Sequence, residues 1–203
     1  MGTIKRVGAP DDPPVLLLHP WWGVTAAVDE WADELARAGH YVVIPDRYGG
    51  RLADTVEGAE ALQQELEDDA ATRLVEEAAD EVAALGRPWV AMGFSMGAYL
   101  ACHLAGRGDT GPDELILFYS GQPPAGPVTR TRRAVLHIAP GDPYFTDDEV
   151  AETEEALRTA GATVETFRYE GSGHWFAERG SPGFDKAAFD LARSRVLDQL
   201  TRS

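Results

Sequence analysis

A single cysteine, Cys102, stands in 203 residues, so no internal disulfide framework holds the chain together and nothing marks it as secreted. Lysine is nearly missing as well: Lys5 and Lys186 are the only two among 18 basic residues, which face 34 acidic ones for a formal charge of −16. Such a surface repels phosphate backbones and anionic membranes, which leaves nucleic-acid and membrane binding without support. No apolar run reaches signal-peptide or membrane-spanning length, and the expectation is a soluble cytoplasmic protein. Internal repeats and low-complexity linkers are absent too, and the length suits one domain over residues 1–203, able to bury its own core. The densest acidic stretch, Glu57 to Glu81, reads as a solvated helix face.

What is present is a regular alternation of short apolar runs and helical periods. Val15 to Leu18 is a continuous apolar run fit for a strand buried on both faces, and Tyr41 to Ile44, Trp89 to Met92, Leu115 to Phe118, Ala134 to Ile138 and Val164 to Tyr169 read as the strands that follow. Between them, Val28, Trp31, Leu35 and Ala38 recur at helical spacing up to Gly39. Leu62 and Leu66, then Leu74, Ala78, Val82 and Leu85, suggest one broken helix or two shorter ones. Thr146 with Glu149 is a capping-box start for a helix carrying Val150, Leu157 and Ala160, and Phe189, Ala192, Val196 and Leu200 mark a closing helix. Repeated β-α units of this kind imply an α/β fold, a mostly parallel sheet with helices on both faces.

Gly93-Phe94-Ser95-Met96-Gly97 lies where a strand passes into a helix, the setting of a nucleophile elbow. A turn tight enough to lift the Ser95 hydroxyl above the sheet leaves no room for bulk two residues before and after it, and the glycines answer that demand. A serine hydroxyl needs a general base, itself oriented by a carboxylate, and in such sheets the partners follow in the order Ser, Asp or Glu, His. Ligands of open α/β sheets bind at the carboxyl ends of the strands, where His19, Asp46, Ser95, Tyr119, Asp142 and His174 fall. Chain order excludes His19 and Asp46, leaving Asp142 and His174. Asp147 and Asp148 compete with Asp142, but the dipole of the helix they open accounts for both. His40, His103 and His137 are read as core or surface filling.

Acyl transfer also needs two backbone N–H groups aimed at the developing oxyanion. Met96, first in the elbow helix, supplies one; the other is expected from His19-Pro-Trp-Trp-Gly23, where Pro20 has no N–H and Trp21 is the candidate. Aromatic pocket walls are expected from Trp21 or Trp22, Tyr119, Tyr144 and Trp175.

With these residues in hand, the chain resembles the dienelactone hydrolase family of α/β hydrolases. The likeness runs from Leu16-Leu-Leu-His-Pro-Trp-Trp-Gly-Val24 and Val43-Ile-Pro-Asp-Arg-Tyr48, through the elbow and Gly141-Asp142, to Gly173-His-Trp-Phe-Ala177 and the closing helix. It implies a lidless α/β-hydrolase fold without metal or cofactor, using Ser95, Asp142 and His174 with Trp21 and Met96 as oxyanion donors. Three positions depart from the family's founding enzymes. Their nucleophile is a cysteine where this chain has Ser95; a glutamate precedes their oxyanion residue, where Pro20 stands here; and an arginine that holds the substrate carboxylate is replaced by Glu178. The expectation is a serine hydrolase of a small, neutral ester, lactone or thioester, with Glu178 repelling anionic substrates. Hydrolysis of dienelactone itself and a non-catalytic binding module on the same scaffold are the alternatives.

Overall fold

A computed structural model describes residues 2–66 and 68–201, with only the backbone of Asp68 and Asp69. The strands are β1 (Thr3–Val7), β2 (Pro14–Leu18), β3 (Tyr41–Asp46), β4 (Val90–Phe94), β5 (Glu114–Phe118), β6 (Arg133–Ile138) and β7 (Thr163–Arg168). The helices are α1 (Ala26–Arg37), α2 (Val56–Gln64), α3 (Asp68–Ala83), α4 (Met96–Ala105), α5 (Asp147–Thr159) and α6 (Lys186–Leu200). All seven strands form one sheet in the order β1-β3-β2-β4-β5-β6-β7. Every pairing is parallel except that of β1, which runs antiparallel to β3 with Lys5 opposite Ile44. The sequence reading did not anticipate β1, whose five residues are all exposed or half-buried.

Because side chains alternate along a strand, each continuous apolar run divides between two cores. Val15, Leu17, Met92, Phe94, Ile116 and Phe118 face the layer of α1 and α6, while Leu16, Leu18, Ala91, Leu115, Leu117 and Leu136 face α3, α4 and α5. Trp31 sits at the centre of the first layer against the rings of Phe94, Phe118 and Phe189, and its indole N–H donates to Ala177 O at 3.0 Å. Burial of each of these aromatic side chains contributes about 2–3 kcal/mol. The bond to Ala177 also anchors the loop after β7, where His174 lies.

The region before β4 is two helices, α2 and α3, and the buried stripe of α3 is Val75, Ala78, Ala79 and Val82. Ala78 and Val82 belong to the expected stripe, whereas Leu74 is only half-buried and Leu85 is exposed past the helix end, their places being taken by Val75 and Ala79. Glu67, within the acidic stretch, lies outside the described residues, as do the side chains of Asp68 and Asp69. Thr146 and Glu149 form the expected capping box, and α5 buries Val150, Thr153 and Leu157 while Ala160 is its exposed C-cap. Among the described residues no helix is long and apolar enough to cross a membrane.

His137 is wholly buried in β6, stacked on Phe118 at 4.4 Å between ring centroids and hydrogen-bonded through Nδ1 to the Tyr169 hydroxyl. Burial holds its imidazole down at about 3. The folded protein therefore keeps it neutral where the unfolded chain, at an ordinary 6.5, binds a proton, and its contribution is complete above pH 6.5 and fades as pH falls toward 3. The His137→Phe variant should gain about 2 kcal/mol on the parent between pH 6.5 and pH 5, read from urea unfolding at each pH. A gap between the two proteins that does not change with pH would show that His137 titrates in the fold as it does in the unfolded chain.

Candidate active site

The turn from β4 to α4 is built by sterics. Ser95 has φ +49° and ψ −114°, in the left-handed half of the map that side chains avoid, and its N–H donates to Phe118 O at 3.0 Å. A Cβ on Gly93 would lie 2.2 Å from Gly97 O, and one on Gly97 would lie 2.2 Å from Leu18 O, so both elbow positions admit only glycine. Ser95, Tyr119 and Trp175 are the only non-glycine residues of positive φ among the described residues, and all three meet at this one place. Strain gathered in this way is characteristic of functional sites.

His174, in the loop after β7, reaches Ser95 from one side and Asp142, in the loop after β6, from the other. Its Nδ1–H donates to Asp142 Oδ2 at 2.6 Å, which fixes the tautomer, and Nε2 accepts the Ser95 Oγ–H at 2.9 Å. Asp142 is in turn held by the Tyr144 N–H, which donates to Oδ1 at 2.8 Å. Asp147 opens α5 and pairs on the surface with Arg168, away from this chain of hydrogen bonds. Such an arrangement can take the proton of a serine hydroxyl and carry it to a leaving group. Met96 is the first residue of α4, where N–H groups have no intrahelical partner, and Trp21 lies across the groove in the turn after β2.

The groove over Ser95 has a volume of about 330 Å³ and is open to solvent; Trp21, Met96, Tyr144, His174 and Trp175 line it. Gln63 of α2, Tyr99 and Ser120 line it too, and none of them was expected. Ser120 follows a strand end, a signal that was there to be used, but Gln63 reaches the site only through the packing of α2 and the indole N–H of Trp21, which donates to its Oε1. No lysine or arginine is among the lining residues.

Three expected wall residues are elsewhere. Trp22 is buried against Trp175, with ring centroids 5.0 Å apart, and lines a neighbouring cleft. Tyr119 is wholly buried beneath His174, its ring 4.8 Å from the imidazole. Glu178 is 2% exposed and accepts a hydrogen bond from the Tyr119 hydroxyl. Burial pushes its carboxyl up to about 8, which the hydrogen bond from Tyr119 only partly offsets. It is uncharged at neutral pH and turned away from the groove, so the expected repulsion of anionic substrates by Glu178 is withdrawn.

The remaining candidates from the strand ends serve the loops. His19 Nδ1–H donates to Pro20 O at 2.7 Å and Nε2 accepts the Arg47 N–H at 3.2 Å, tying the turn that carries Trp21 to the loop after β3. Burial lowers its imidazole to about 4, so it stays neutral. The Asp46 carboxylate accepts the N–H groups of Tyr48 and Gly50 at 3.0 and 2.6 Å, shaping that same loop. Cys102 lies in the buried face of α4, its thiol pushed up to about 12 by burial. Among the described residues no cluster of His, Cys, Asp and Glu is fit to hold a metal ion.

Comparison with known proteins shows the family and the fold. The model of the dienelactone hydrolase family matches residues 3–203. Protein usf of Aquifex pyrophilus is 25% identical over 185 residues, 81% of this chain and 76% of that protein. A dienelactone hydrolase-like promiscuous phosphotriesterase from metagenomic libraries superposes with a TM-score of 0.80 at 18% identity, over 99% of this chain and 98% of its own. Esterase 2 of Thermogutta terrifontis gives a TM-score of 0.67 at 17% identity, over 99% and 89% of the two chains. At such identities the structural likeness is one of fold.

Proposed function

Because the chain belongs to the dienelactone hydrolase family and is an ester-cleaving hydrolase, we propose that it works through an acyl-enzyme on Ser95. In this reading Ser95 Oγ attacks the substrate carbonyl as His174 Nε2 takes its proton. Asp142 holds the imidazole in the required tautomer and stabilises its cationic form. The N–H groups of Trp21 and Met96 receive the oxyanion, a contribution of about 3 kcal/mol each. The imidazolium then gives its proton to the departing alkoxide or thiolate, and a water activated by the same imidazole releases the acid. The observation that carries the reading is the continuous hydrogen-bond chain from Ser95 Oγ through His174 to Asp142, at 2.9 and 2.6 Å.

The substrate class follows from the groove. Four aromatic side chains, Trp21, Tyr99, Tyr144 and Trp175, dominate its lining, and neither a lysine nor an arginine is among the lining residues to meet a carboxylate. A small, neutral ester, lactone or thioester suits it, and that preference now rests on the lining and no longer on Glu178. A fluorophosphonate should label Ser95 stoichiometrically, as located by peptide mass mapping. Neutral methyl esters should exceed the corresponding free carboxylates in kcat/KM by about tenfold or more, since a carboxylate entering the groove sheds part of its hydration against aromatic walls and gains no cationic partner from the lining. An unlabelled Ser95 would make the protein a binding module. Preference for a carboxylate-bearing lactone would restore dienelactone as the substrate.

A further inference from the structure

The His174 imidazole is enclosed by three rings, those of Tyr119 at 4.8 Å, Trp175 at 4.8 Å and Tyr144 at 5.0 Å. Tyr144 is more than half exposed and Trp175 belongs to the same loop as His174, so only Tyr119 offers a fixed surface, set at the end of β5 beside the elbow. Its backbone has φ +39°, a conformation that persists only where the surroundings impose it. The Tyr119 N–H donates to His137 O at 2.8 Å, and from the far side the ring is held by Glu178, whose Oε1 accepts the Tyr119 hydroxyl and which stands one turn after His174, its N–H donating to Trp175 O at 3.0 Å. The bond joins residues 59 apart in sequence, linking the sheet to the loop that must place the imidazole.

We propose that Tyr119 and Glu178 are positioning residues for His174: the Glu178 carboxyl locks the Tyr119 ring as the floor on which the imidazole rests at hydrogen-bond distance from Ser95. The inference rests on the reading of His174 as the general base. A carboxyl is an unusual choice for so buried a place, and Glu178 Oε2 has no hydrogen-bond partner there. Its chemistry fits only as a neutral acid, in keeping with the burial that raises it to about 8. Around it stand Tyr119 at the end of β5, Asp142 after β6 and His174 on its own loop. Arg179, the next residue, turns outward to Glu30 of α1 at 3.0 Å, and Asp54 borders the cleft on the other side. A neutral Glu178 thus adds no second buried negative charge beside the His174–Asp142 pair.

The test uses p-nitrophenyl acetate kinetics and melting temperatures of four variants. Tyr119→Phe and Glu178→Leu should each lower kcat about tenfold or more with KM within about threefold, because a displaced imidazole slows proton transfer and leaves binding alone. The double variant should be no worse than either single one, since both break the same bond. Glu178→Gln, whose amide oxygen accepts the same O–H, should stay within about threefold of the parent kcat. Its melting temperature should pull ahead of the parent's as pH rises from 5 to 8 and then run parallel. The folded carboxyl keeps its proton to about 8 while the unfolded one loses it near 4.5, so this native-state stability is lost as pH climbs through that window. Parental kcat in Tyr119→Phe, additive losses in the double variant, or Glu178→Gln as slow as Glu178→Leu would overturn the positioning role. A melting-temperature gap independent of pH would overturn the neutral acid. If His174→Ala retains parental activity, the reading of the base fails first and takes this inference with it.

Discussion

Replacing Ser95 by alanine is expected to lower kcat by about four to six orders of magnitude and leave the melting temperature almost unmoved. The hydroxyl's hydrogen bond goes to His174 and not into the core, so its removal costs chemistry and little packing. His174→Ala should lose a comparable factor, but it also strips Asp142 of the N–H that accompanies its burial, and a carboxylate left so placed costs about 2–5 kcal/mol. His19→Ala should reduce kcat far less. His19 hydrogen-bonds backbone only and packs its ring on Tyr48, so its loss loosens the turn bearing Trp21 without removing a proton acceptor from Ser95. Steady-state kinetics beside circular-dichroism melts separate these outcomes. Equal losses from His19→Ala and His174→Ala would leave the base unassigned, and an active Ser95→Ala would end the acyl-enzyme reading.

Adding one methyl group at the elbow should unfold or cripple the protein. In Gly97→Ala the new Cβ meets Leu18 O, and in Gly93→Ala it meets Gly97 O, both at 2.2 Å. The obstacles are backbone atoms of β2 and α4, which no rotamer change can move, so the helix must back away from the sheet. A cost of more than about 3 kcal/mol is expected, at the severe end for overpacking. Gly39 provides the control: it has φ +86° but open space around it, and Gly39→Ala should cost only about 1–2 kcal/mol. Urea unfolding of the three variants measures the contrast. A Gly97→Ala protein as stable as Gly39→Ala would mean that the elbow is looser than drawn.

The convergence of Ser95, Asp142 and His174 was legible in the chain because each lies just past a strand, parallel strands bring such ends to one rim, and the order is fixed. The depth of a residue at that rim was not legible. Tyr119 and Tyr144 both follow strands, yet the first turns down into the core and the second out over the groove. Nothing local distinguishes them, and the hydroxyl of the buried one meets its partner, Glu178, only 59 residues further along the chain. Matching Glu178 by position to a substrate-binding arginine failed for a related reason. Four residues past His174 the loop has already turned under the sheet rim, and the carboxyl packs there as a neutral group. Gln63 could not be found because α2 carries no chemical signature. β1 escaped because Thr3 to Val7 is an edge strand that buries no full face.

Cys102 bears on how such an enzyme meets an oxidising environment. Thiol reagents and peroxides attack the thiolate, and a thiol fully buried and held up to about 12 presents almost none of it. On the acyl-enzyme reading the attacking atom at the elbow is an oxygen and the one sulfhydryl is sealed in α4, so neither sulfenic acid nor a mixed disulfide can form at the nucleophile. The same fold with a cysteine at position 95 would place its reactive atom at the solvent edge and tie its turnover to the local redox potential; here that tie is cut.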